Sequence, residues 1–112
     1  MEMKLAEQKC VACEGNTAPF VREESEILIK QVPTWILADD AKSISKKYVF
    51  KDFKEALAFI NTVGEIAESE GHHPNIYLTN YNNVEITLST HAAKGLTNND
   101  FIMAAKIDEH QV

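Results

Sequence analysis

Between residues 53 and 70 apolar side chains recur every three or four positions, at Phe53, Ala56, Leu57, Ile60, Val63 and Ala67, which is the period of one helical face. Asp52 stands where an N-cap belongs, Glu55 follows three residues later, and Gly71 suits a left-handed C-terminal stop. The spacing predicts a helix over about 53 to 70. It delivers the chain into His72 and His73, and Pro74 forbids continuation. In "NIYLTNYNNVEITLST" the pattern changes to alternation, with Val84, Ile86 and Leu88 set against Glu85, Thr87 and Ser89. Asparagine-rich turn chemistry precedes them, so a hairpin is expected. Earlier, "TWILA" and "KSISKKYVFK" are rich in β-branched and aromatic residues and flank "DDAK", which predicts a first hairpin.

Two further helices complete the order. Residues 21 to 32, "VREESEILIKQV", carry acidic residues early, a lysine late, and Ile27, Leu28 and Val32 on one face before Pro33. A last helix runs to about residue 110 from Thr97 as N-cap, with Asp100 at its third position and Leu96 and Phe101 as a hydrophobic staple. Residues 1 to 20 show little periodicity, so an irregular arm is expected ahead of one domain over 21 to 112.

With 112 residues, one domain with one core is expected. The net charge is −6 and the basic residues form no stripe, so direct nucleic-acid binding is not expected. No segment approaches the roughly 18 to 20 apolar residues of a membrane span, and "MEMKLAEQKC" lacks a signal-peptide core. The expectation is a cytoplasmic protein without membrane contact. The two cysteines, Cys10 and Cys13 in "CVAC", are too few for a disulfide framework. Half a zinc site or redox chemistry is the functional reading of that pair, and an incidental pair on a loose arm is the plainer one.

Three of the four histidines fall in "EGHHPN" and "STHAAKG". If Tyr81, Asn82 and Asn83 form the hairpin loop, Asn80 pairs with Val84, Leu78 with Ile86 and Ile76 with Leu88. Extending that register sets His73 opposite His91 on the face away from the apolar set. A loop one residue shorter or longer sets Pro74 or His72 there, so His72, His73 and His91 converge in each case. Cationic imidazoles this close repel, which leaves at least one neutral near pH 7 and gives a mixed acid and base set. One histidine after a helix is ordinarily a dipole-compensating cap, a reading that suits His72 or His73 singly better than the three together. Three histidines are also enough for a catalytic zinc, although adjacent histidines on extended chain point to opposite faces. Asp100 completes a capping box whether or not it has a second role, Glu68 is ordinary helix surface unless it serves a histidine, and Trp35 is more often core than ligand platform.

The stretch "EGHHPNIYLTNYNNVEITLSTHAAKGLTNNDFIMAAKID" resembles the signature of the pterin-4a-carbinolamine dehydratases: an acidic residue, three spacers, H-H-P, a hairpin, T-L-S-T-H, then G-L-T-x-x-D. "REESEILIKQVPTW" and "YVFKDFKEALAFINTV" are similar to the family's first helix, tryptophan-bearing strand and second helix, so the resemblance covers residues 20 to 110. The C-x-x-C-E-G arm resembles bacterial members. The resemblance implies an α+β fold, helix-β-β-helix-β-β-helix, with a four-stranded antiparallel sheet and about three helices on one face. It implies dehydration of 4a-hydroxytetrahydropterin to quinonoid dihydropterin, in tetrahydropterin recycling for aromatic amino-acid hydroxylation, with no metal or organic cofactor. By position it makes His72 and His91 the acid and base pair, with His73 mainly holding the pterin. Glu68, Pro74, Thr90, Asp100 and Trp35 are then substrate-site residues, and a homodimer or homotetramer is expected. Two departures, Gly71 where many relatives carry aspartate and Asn99 where some animal members have arginine, leave every histidine in place and bear on substrate affinity. The alternatives are a pterin-binding module with a molybdopterin-type ligand, and a transcriptional dimerisation cofactor such as animal relatives provide.

Overall fold

The computed structural model describes residues 4–11 and 18–110. Its elements are helix α1 (Arg22–Leu28), strands β1 (Ile36–Leu37) and β2 (Ile44–Val49), helix α2 (Phe53–Glu70), strands β3 (Asn75–Thr79) and β4 (Asn83–Leu88), and helix α3 (Asn98–Glu109). Short 3₁₀ turns occupy Leu5–Glu7, Ile29–Gln31 and His91–Ala93. The strands form one antiparallel sheet in the order β1-β2-β4-β3. The fold is therefore the α+β arrangement expected, with the helix-β-β-helix-β-β-helix order.

Strand alternation builds the core. Ile44 and Tyr48 of β2, Val84, Ile86 and Leu88 of β4, and the half-buried Ile76 and Leu78 of β3 share one face of the sheet. Ala56, Phe59, Val63 and Ala67 of α2 and Phe101, Ile102, Ala104 and Ile107 of α3 join them in one cluster. Local signals set the ends of α2 as read: the Asp52 carboxylate accepts the Glu55 N–H at 2.8 Å, and Gly71 adopts φ +65°.

Three expectations change. Phe53 and Leu57 are exposed while Phe59 is buried, because both lie about 80° and 120° round the helix from Val63 at 100° per residue. Ile27 is likewise exposed, since α1 gives way to a 3₁₀ turn that carries Val32 into the core. The second hairpin loop is Asn80–Asn82, one residue earlier than expected, and Thr79 pairs with Asn83, Leu78 with Val84 and Ile76 with Ile86. Asn82 causes the shift. Its carbonyl accepts from Phe50 N–H and its side-chain amide donates to Phe50 O, each at 2.8 Å, which fixes Asn82 beside the end of β2. Asn80 and Tyr81 both take positive φ in this loop.

Candidate active site

The shifted register removes the expected pairing of His73 with His91, since its extension sets Gly71 opposite His91. The imidazoles meet by another route. Beyond β4 the chain does not stay extended: Thr90 bridges to Gly95, and His91 opens the intervening 3₁₀ turn, which closes with Lys94 in the left-handed region. Gly95 is required there because a Cβ would lie 2.8 Å from Pro19 Cβ. The turn brings His91 back beside the end of α2, so that His72, His73 and His91 line one cleft of about 230 Å³.

The three rings sit in different surroundings. His72 is buried, and its Nε2 lies 2.7 Å from Asp100 Oδ1. Asp100 is fully buried at the start of α3; its Oδ2 accepts from Thr90 Oγ at 2.8 Å and from Thr97 N–H at 3.0 Å. Because Thr90 spends its proton on Asp100, the Thr97 hydroxyl donates to Thr90 Oγ across their 2.8 Å contact. A buried carboxylate that already accepts from Thr90 and the Thr97 N–H is an acceptor toward His72 as well, so Nε2 is the donor and, in the neutral ring, Nδ1 is the acceptor. His73 is exposed and pairs through Nε2 with Glu68 at 2.7 Å, also at the surface. His91 is exposed at the cleft.

Residues 18–110 match the family model for pterin 4 alpha carbinolamine dehydratase. The chain belongs to this family. A protein named "putative pterin-4-alpha-carbinolamine dehydratase" from Halorhodospira halophila is 45% identical over 106 residues, covering 95% of this chain and 96% of its own length. The crystal structure of a transcriptional coactivator/pterin dehydratase from Brucella melitensis superposes with a TM-score of 0.75 at 31% identity, over 81% of this chain and 96% of that one. A pterin dehydratase-like RuBisCO assembly factor of the alpha-carboxysome shares the fold, with a TM-score of 0.57 at 23% identity over 68% of this chain and 87% of its own.

Of the dehydratase-family residues expected at the site, the structure joins His72, Asp100 and Thr90 in one network and His73 with Glu68 in another. Pro74 follows the histidines into β3 and is not among the residues lining the cleft. Trp35 is not brought to the cleft either. It is buried, and its indole N–H donates to Asp108 Oδ1 at 3.0 Å, eight residues along α3 from Asp100 and so about 12 Å further down the helix axis. Among the described residues no group of three or more His, Cys, Asp and Glu side chains is arranged to hold a metal ion.

Sequence reasoning missed the part played by the N-terminal segment. Leu5 is in the core, the Cys10 N–H donates to Glu70 Oε1 at 2.9 Å, and the Cys10 thiol approaches Asn99 O at 3.6 Å. Burial, then the Glu70 carboxylate, pushes the Cys10 thiol up to about 12. These contacts span 60 or more residues, so no local pattern announces them. Cys13 lies outside the described residues.

Proposed function

We propose that this chain dehydrates 4a-hydroxytetrahydropterin to quinonoid dihydropterin by histidine acid–base catalysis. The observation that carries the proposal is the buried Asp100–His72 pair opening onto a cleft shared with two further imidazoles. In the reaction the C4a–O bond breaks, the hydroxyl leaves with an added proton as water, and N5 gives up its proton as the C4a–N5 double bond forms. No oxidant or reductant is consumed. His72, with Nε2–H held by Asp100, is the base at Nδ1, and the buried carboxylate stabilises the imidazolium it becomes. His91 supplies the proton to the leaving hydroxyl. His73, steadied by Glu68, holds the pterin edge. Each proton transfer of this kind is worth roughly 10²- to 10⁴-fold in rate. The setting is tetrahydropterin recycling in the cytoplasm.

The test follows quinonoid dihydropterin from freshly generated 4a-hydroxytetrahydropterin, in EDTA, with wild type, His72→Ala and His91→Ala. Acceleration by the wild type that falls at least about tenfold in each variant supports the proposal. Absence of acceleration over the spontaneous rate would sink it. A homodimer or homotetramer is part of the same proposal, supported by the exposed Phe53 and Leu57 on α2 and by β3 at the sheet edge. Light scattering of wild type and Leu57→Glu tests it, a monomeric wild type being the contrary result.

A further inference from the structure

The histidine cleft is not closed by residues 18–110 alone. Val11 also lines it, and among the described residues is the largest apolar one to do so, beside the much smaller Ala92 and Gly71. It is held in place by groups from the far end of the sequence. The Val11 N–H donates to Asn99 Oδ1 at 3.0 Å, and Asn99 Nδ2 returns a bond to Val11 O at 2.7 Å. A carboxamide that pairs with both backbone polar groups of one residue fixes the direction of the chain there much as a neighbouring strand would. Asn99 is itself buried, at 3% exposure, in the first turn of α3. One residue earlier the Cys10 N–H is held by Glu70, whose side chain is only 6% exposed and whose Oε2 lies 3.6 Å from Lys106 Nζ. Lys106 in turn donates to Ala6 O at 2.9 Å.

The clamp has a distinctive product. Buried polar groups of α2 and α3 hold an apolar side chain that is 71% exposed at the edge of a cleft lined mainly by polar side chains. A core residue would be anchored by its side chain; this one is anchored by its peptide and leaves its side chain to water. A pterin has hydrogen-bonding edges and two apolar ring faces. The histidines and Thr90 offer polar atoms for the edges, and among the described residues no other apolar side chain of Val11's size lines the cleft to meet a face.

We infer that Val11 forms a wall of the substrate site and contacts the ring of the bound pterin carbinolamine, with Asn99 and Glu70 as positioning residues acting through the backbone of Cys10 and Val11. The inference rests on the dehydratase reading of the cleft. Asn99 lines the cleft but its carboxamide is engaged with Val11, and Glu70 does not line it at all, which makes Glu70 the decisive position.

Steady-state dehydration of 4a-hydroxytetrahydropterin tests the wall. Val11→Gly, Asn99→Ala and Glu70→Ala each raise KM, by about tenfold for the first two, with kcat within about twofold, since a lost contact of this kind is worth about one decade. The Val11→Gly/Asn99→Ala double variant is no worse than the worse single one, because both remove the same contact. Glu70→Gln, which keeps an acceptor for the Cys10 N–H, recovers most of the KM lost in Glu70→Ala. A wild type that does not turn over overturns the dehydratase reading and this inference together. Normal wild-type turnover with KM unmoved in Val11→Gly and Glu70→Ala, or with losses confined to kcat, overturns the inference alone.

Discussion

His72 Nε2 and Asp100 Oδ1 are 2.7 Å apart in the protein interior, joining the end of α2 to the start of α3 across 28 residues of sequence. The same carboxylate caps α3 through the Thr97 N–H, so one buried side chain ends a helix and sets a tautomer. Asp100→Asn separates those tasks. Its amide oxygen is kept by the Thr97 N–H and the Thr90 hydroxyl, which turns the amide NH₂ toward His72 and reverses the ring's donor and acceptor. We predict a fall in kcat of about 10²- to 10⁴-fold with much smaller change in pterin affinity. Steady-state kinetics beside nitrogen NMR of the His72 ring check it; unchanged kcat with a reversed tautomer would refute the assignment of His72 as base.

Gly95 is a second point where a small change should be felt at the site. Its backbone pairs with Thr90 and runs so close to Pro19 that a Cβ would meet Pro19 Cβ at 2.8 Å. Gly95→Ala is predicted to destabilise the fold by about 1–3 kcal/mol, as overpacking usually does. Urea unfolding reads the loss directly, and a midpoint equal to that of the wild type would show that Pro19 yields freely.

Cys10 is predicted to be a slow nucleophile. Burial and the neighbouring Glu70 carboxylate hold its thiol at about 12, so at pH 8 only about one molecule in 10⁴ carries the thiolate. In a Cys13→Ser background, iodoacetamide should label Cys10 far more slowly than a free thiol at pH 8, and at the ordinary rate in urea. Equal rates in both states would mean that the segment is not docked in solution.

The parts of this fold that were legible in the sequence are those fixed by neighbours in the chain. Asp52 and Gly71 set the ends of α2 through contacts within a turn, and Val84, Ile86 and Leu88 face the core because alternation leaves them no other place. The hairpin register was less legible because Phe50, 32 residues from Asn82, pins the loop. On α2 the three- and four-residue spacing alone admits Phe53 and Leu57, whereas the face centred on Val63 takes in Phe59, about 40° away, and leaves both of them outside. At the candidate site, the three histidines stand out by type and spacing, yet their carboxylate partners do not. Glu68, one turn before His72, serves His73, while His72 takes Asp100. The clamp on Val11 was illegible for the same physical reason, since its partners lie 88 residues away.

Glu70 makes the clamp sensitive to acid. Burial opposes its ionisation, but the Cys10 N–H, Lys106 and Lys9 outweigh burial and hold its carboxyl below the ordinary 4.5. A carboxyl group whose folded value lies below its unfolded one stabilises the native state fully above the unfolded value. That contribution is lost as pH falls through the lower, folded value. The stability difference between wild type and Glu70→Gln should therefore be constant from neutral pH down to about 4.5 and shrink below it. Urea unfolding of the two proteins across that range measures the difference. A gap that widens in acid would reverse the sign argued here, and a gap that stays constant to pH values where native carboxylates are protonated would show that Glu70 titrates alike in both states.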